Sequence, residues 1–209
     1  MLIWFRSDLR IHDNPALDYF IAQQQSSDTG KAIFFISHKQ WAKHDWAPIK
    51  IDFLLRHAQI LQRKLVKLNI ELSLVEVEDF DAQVAYLRNY CHTKAIKEVV
   101  ANSELGFNEN KRDRQCVDEG ISLKLFEADV ITPKGSILNK SGDMFKVFTP
   151  FKRAWLTYIK ANGVKYTPKY ANDTVQQEYD EASGLSSNWP LITDIESEVL
   201  PCFLNNKLL

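Results

Sequence analysis

Apolar positions along the chain fall into two alternating registers. Short apolar or alternating runs, Leu2 to Phe5, Ala32 to Ser37, Leu72 to Val77, a run ending at Val99 to Ala101, and Ile121 to Phe126, have the length and side-chain content of strands. Between them apolar residues recur every three or four positions, as on a helix with one buried stripe. Asn14 reads as an N-cap before Pro15, with Leu17, Tyr19, Phe20 and Ile21 following until Ser26, Ser27, Asp28 and Gly30 stop the helix. After Pro48, the stripe Ile51, Leu54, Leu55, Ala58, Leu61, Leu65 and Leu68 predicts the longest helix. Asp79 or Asp81 caps a helix through Val84, Leu87 and Tyr90, and Asn108 opens a charged helix that runs to Gly120. Five strand-helix steps within about 130 residues predict the α/β class, a doubly wound five-stranded parallel sheet flanked by helices.

Past Asp129 the pattern changes. Thr149 and Pro150 read as an N-cap and first-turn pair, followed by Phe151, Trp155 and Ile159 at helical spacing. Residues 145–170 hold six basic residues (Lys146, Lys152, Arg153, Lys160, Lys165, Lys169) and no acidic one, whereas 171–209 hold seven acidic residues against Lys207 alone. Gly184, Ser186, Ser187 and Pro190 give that last stretch the composition of a linker. The expected organisation is an α/β unit over 1–130, a connecting segment with an amphipathic helix over 131–170, and an acidic linker over 171–209.

The 209 residues suit one domain with an extension, at roughly 100–200 residues per domain. With 45% apolar and 25% charged residues, neither a disordered chain nor a disulfide scaffold is expected. Charges at Arg6, Asp8 and Arg10 come too early for the apolar core of a signal peptide, and no run approaches the ~18 apolar residues of a membrane span. Cys91, Cys116 and Cys202 have no metal-ligand spacing, so a cytoplasmic protein with no metal and no membrane partner is the expectation. A net charge of −1 gives no global pull toward nucleic acid. The chain has seven glycines and neither G-x-G-x-x-G nor G-x-x-x-x-G-K-[ST], which disfavours a stand-alone nucleotide-binding module.

Candidate chemistry begins where the first strand ends. Ligands of open α/β sheets sit beyond the carboxyl ends of strands, and there the chain reads Trp4-Phe5-Arg6-Ser7-Asp8-Leu9-Arg10, then Asp13-Asn14-Pro15-Ala16-Leu17. Read from residue types alone, Arg6, Asp8 and Arg10 neutralise one another and brace the turn. The whole stretch, however, resembles the opening signature of the DNA photolyase and cryptochrome family. Gln40-Trp41-Ala42 with His44, Phe107-Asn108-Glu109 with Arg112-Asp113, and Met144 to Phe151 resemble further family stretches in the family's order.

The resemblance implies a Rossmann-like, antenna-holding domain of a folate-type photolyase, a lyase that repairs cyclobutane pyrimidine dimers in DNA with light and reduced FAD. It implies that His44, Asn108 and Glu109 contact a 5,10-methenyltetrahydrofolate antenna, with Trp41 as a possible stacking face. A carboxylate accepts two parallel N–H bonds of the kind a pterin edge offers, and an amide both donates and accepts. No catalytic residue is expected in this chain. Its partners would be a C-terminal FAD domain, expected to be absent here, and through the full-length protein damaged DNA. Without that domain the folate pocket is expected to be a half-site and the chain inactive alone. A cryptochrome-type blue-light sensor is the alternative.

Overall fold

The computed structural model describes residues 1–24 and 29–164. Strand β1 (Leu2–Phe5) is buried at all four positions, which only a strand covered on both faces requires. Its side chains alternate between two core layers. Ile3 and Phe5 pack with Leu17, Phe20, Phe34, Leu61 and Leu65, whereas Leu2 and Trp4 pack with Ile33, Phe35, Val84, Leu87 and Cys116.

The helices supplying those layers follow the expected order. Helix α1 (Pro15–Gln23) opens with the Asn14 carboxamide accepting from Leu17 N. Strand β2 (Gly30–Ile36) follows, and Gly30 is required there because a Cβ would lie 2.8 Å from Phe20 Cε1 and 2.9 Å from Gln24 Oε1. Helix α2 (His38–Lys43) and the long helix α3 (Pro48–Val66) lead to strand β3 (Ile70–Glu76). Asp79, not Asp81, caps helix α4 (Phe80–Thr93), accepting from Ala82 N. Strand β4 (Val99–Asn102), helix α5 (Phe107–Asp118) and strand β5 (Leu123–Phe126) complete the α/β unit. All strand pairs are parallel, in the order β3-β2-β1-β4-β5, with Leu2 opposite both Lys31 and Val99.

Four details depart from the sequence-based expectation. His38–Lys43 is a helix that the apolar pattern did not predict. Helix α5 starts at Phe107 with extended Gly106 as its N-cap, so Asn108 sits inside the first turn. Helix α6 (Phe148–Asn162) starts after extended Val147, which places Thr149 and Pro150 within its first turn, where Pro150's missing N–H leaves no intrahelical bond unmade. Leu68 lies beyond the end of α3 but still packs on the core. Helix α6 buries none of its residues among the described part of the chain, and Phe148 is 71% exposed. The acidic segment 171–209 lies outside the described residues, as do Lys165, Lys169 and Cys202.

Candidate functional site

The chain winds from β1 outward through β2 and β3, then crosses to β4 and β5 on the other side. That reversal opens a crevice beyond the carboxyl ends of β1 and β4, where open α/β sheets hold ligands. Here the chain fills it with its own side chains. Arg6 Nη1 donates to Asp113 Oδ2 at 2.8 Å, and Arg112 Nη2 donates to Glu104 Oε2 at 2.9 Å and to Asp113 Oδ1 at 3.0 Å. Ser7 Oγ donates to Glu104 Oε1 at 2.6 Å. Both guanidinium carbons lie over the Trp4 ring, at 4.1 Å for Arg6 and 4.5 Å for Arg112. Asn102 bridges Asp8 and Asn14 and accepts from Ala16 N.

The remaining space measures about 10 Å³, enough for one water and far too little for a nucleotide. Arg6 Nε and Nη2 are buried beside it with no hydrogen-bond partner among the described residues. Burial alone would push the Glu104 carboxyl up, but Arg112 and Arg6 outweigh it and hold the group below its usual range. Burial pushes Asp8 up, against the opposing pull of Arg10. The expected Arg6–Asp8–Arg10 brace is therefore corrected. Arg10 does approach Asp8 at 3.4 Å, but Arg6 turns inward to Asp113, a partner 107 positions away that only the fold brings near.

A second, open cleft of about 330 Å³ lies beside this cluster, within the range of small-molecule sites. Three helices build it. The end of α2 brings Gln40, Lys43 and His44, the start of α4 brings Phe80 and Asp81, and one face of α5 brings Asn108, Lys111, Arg112 and Gln115. Gln40 Nε2 and His44 Nε2 lie 2.9 Å apart. Lys43 Nζ is 3.5 Å from Asp79, whose carboxyl is held low chiefly by the bond it accepts from Ala82 N. The Arg112 guanidinium lies 4.7 Å over Phe80, so one side chain belongs to both the crevice and the cleft.

Of the residues expected to bind a ligand, His44 and Asn108 line this cleft together although 64 positions apart. Glu109 is not among its lining residues. It occupies the third helical position after the N-cap, with its carboxylate folded over Gly106 in the space a Cβ there would fill. Trp41 offers no stacking face, because it is 7% exposed and stacked on Trp46 at 5.6 Å within the core. Sequence reasoning missed Gln40, Lys43, Phe80, Asp81, Lys111, Arg112 and Gln115 as site residues. The signal for part of this set was helical spacing, since Gln40 and His44 are four apart and Asn108, Lys111, Arg112 and Gln115 share a face.

Among the described residues no group of three or more His, Cys, Asp or Glu could hold a metal ion, and no helix is long and apolar enough to cross a membrane.

Comparison with known proteins shows the family and the fold. A family model described as DNA photolyase matches residues 1–171. Deoxyribodipyrimidine photo-lyase of Vibrio cholerae is 38% identical over 163 residues, covering 76% of this chain and 34% of the relative. The Escherichia coli protein of the same name is 35% identical over 166 residues, with the same two shares. The chain thus spans about a third of the length of these curated relatives. Among solved structures, an archaeal photolyase from Sulfolobus tokodaii, described with two FAD molecules that imply a novel light-harvesting cofactor, superposes with a TM-score of 0.57. At 19% identity, over 73% of this chain and 34% of the other, that likeness shows the fold. With the family model matching four-fifths of its length and relatives above 30% identity across three quarters of it, the chain belongs to the DNA photolyase family.

Proposed function

We propose that this chain is the antenna-holding α/β part of a deoxyribodipyrimidine photolyase, and that the His44–Asn108 cleft is its half of a folate site. The observation that carries the reading is the convergence of His44 and Asn108, from two separate helices, on an open cleft of about 330 Å³. The residues present suit a 5,10-methenyltetrahydrofolate ring. The Asn108 amide donates and accepts, the His44 imidazole adds a polar contact, and Phe80 under Arg112 gives an apolar wall. Lys43 is shared with Asp79 and Arg112 with Glu104 and Asp113, which leaves Lys111 as the lining cation to meet a carboxylate group of the ligand. Glu109, one position from Asn108, joins the set if its carboxylate leaves Gly106 for a pterin edge.

When bound, the folate supplies absorption of near-UV light. The chain's own residues orient the ring and exclude water from one side of it. In the whole protein, FAD, the dimer-splitting chemistry and contact with damaged DNA belong to a C-terminal domain, with residues 131–170 connecting and 171–209 linking toward it. The setting proposed for that work is the cytoplasm.

The test is an absorption titration of the 209-residue chain with 5,10-methenyltetrahydrofolate. A shifted, saturable band is expected, weakened at least tenfold by Asn108→Ala and measurably by His44→Ala and Glu109→Gln. Equal binding by all four proteins, or no saturable band at millimolar folate, would remove the cleft from consideration.

A further inference from the structure

One polar side chain of the cleft has no part in the reading above. Gln40 is only 8% exposed, and its backbone N–H donates to Glu78 O at 3.2 Å, fixing α2 against the chain that follows β3. One turn further, its Nε2 lies 2.9 Å from His44 Nε2. An amide nitrogen carries only donor hydrogens, so the imidazole nitrogen facing it must be the unprotonated one.

The reverse amide orientation would turn the –NH2 toward the charged groups of the cleft. These are Lys43 from α2, shared with Asp79; Lys111 and Arg112 from α5, the latter paired with Glu104 and Asp113; and Asp81 from α4. Lys111, for which no carboxylate is within ion-pair distance among the described residues, favours the carbonyl oxygen on that side. The tautomer of a histidine is set by the bond its other nitrogen makes.

We propose that Gln40 is a positioning residue of this cleft. It donates to His44 Nε2, holds the imidazole as the neutral Nδ1–H tautomer, and keeps its own Oε1 as an acceptor beside it. A heteroaromatic ligand then meets one N–H donor and one acceptor of fixed polarity on α2, complementary to an edge that itself alternates acceptor and donor. What the pair is for rests on the folate reading of the cleft, whereas the tautomer rests on the geometry of α2 alone.

The test is a long-range proton–nitrogen correlation spectrum of the imidazole-labelled 209-residue chain, recorded in mildly alkaline buffer. The wild type is expected to show protonated Nδ1 and bare Nε2. Gln40→Met, which keeps the shape and loses the donor, is expected to lose that fixed pattern. Gln40→Glu, which only accepts, is expected to pull the proton to Nε2. A wild-type spectrum showing Nε2–H, or one matching Gln40→Met, would overturn the proposal, as would a Gln40→Glu spectrum that still shows bare Nε2. A folate titration on the same samples separates the two readings. The Nδ1–H form without saturable folate binding would overturn the use of the cleft and leave Gln40's role in place, and the opposite pair of results would overturn Gln40's role alone.

Discussion

Asp113→Asn is the sharpest perturbation the crevice offers, because it removes charge without volume. Asp113 and Arg6 have side chains only 6% and 4% exposed and meet at 2.8 Å, and Asp113 Oδ1 also takes two bonds from Arg112. With the aspartate neutral, two guanidinium groups stacked on one tryptophan share a single carboxylate, Glu104, which lies 3.9 Å from Arg6 and 2.9 Å from Arg112. At an effective dielectric of 20, a 2.8 Å ion pair has a gross attraction of about 6 kcal/mol. Desolvation consumes much of that, but removing one partner alone strands the other, at a typical cost of about 3–5 kcal/mol. With a urea slope of about 2 kcal/mol per molar, the unfolding midpoint should fall by about 2 M. Arg88→Ala serves as the control, since its pair with Glu119 is 60% exposed on the arginine side and should contribute under about 1 kcal/mol. Urea unfolding followed by tryptophan fluorescence reads both, with Trp4, in contact with both arginines, as a local probe. If Asp113→Asn moves the midpoint no further than Arg88→Ala, the buried cluster does not hold the crevice shut and the reasoning fails.

Other expected outcomes follow from the same geometry. Asn14→Ala deletes the cap on Leu17 N together with the bonds to Arg10 O and Asn102, and should lower stability by about 1–2 kcal/mol in the same urea assay. Gly30→Ala forces a methyl against Phe20 and Gln24 and should cost about 1–3 kcal/mol, seen as a lower thermal midpoint. The folded Glu104 carboxyl is held below its ordinary value of 4.5, so its contribution is present above that value and lost as pH falls through the lower folded value. Glu104→Gln should accordingly destabilise the chain at pH 7 and flatten the acid limb of the stability curve below about pH 4.5, measured as urea midpoints from pH 3 to 7. An unchanged acid limb would show that the arginines do not act on Glu104 as argued.

The sheet was legible because its signal is local and redundant. Central strands such as Leu2–Phe5 and Gly30–Ile36 are buried on both faces, which forces short apolar runs, and Asn14-Pro15 marks a helix start by chemistry confined to adjacent residues. Helix α2 was not legible, since six residues are too few to display a period and its buried residues are Gln40 and Trp41. The partner of Arg6 was hidden for a different reason. A nearby Asp8 offers a plausible local ion pair, and nothing in a linear pattern shows that burial against Trp4 turns the guanidinium toward Asp113 instead. His44 and Asn108 were reached through family resemblance, which left Trp41 open between a stacking face and a packed aromatic, because a motif gives a residue's neighbours in sequence but not which way its ring is turned.

Arg112 explains why the chain has a filled crevice and an open cleft side by side. Its guanidinium completes the charge balance that closes the switch point, pairing with Glu104 and Asp113, while its face covers Phe80 in the cleft. Asn108 stands one helical turn before it on α5, so the cluster that stiffens the crevice also fixes where Asn108 points from. A ligand forced into the crevice would have to break the Arg6–Asp113 and Arg112–Glu104 pairs and strand buried charges, a cost of several kcal/mol before any contact is gained. A ligand in the cleft breaks neither. The sheet therefore uses its switch point as a clamp, and the open cleft lies in the helix layer, where three helix ends meet around His44 and Asn108.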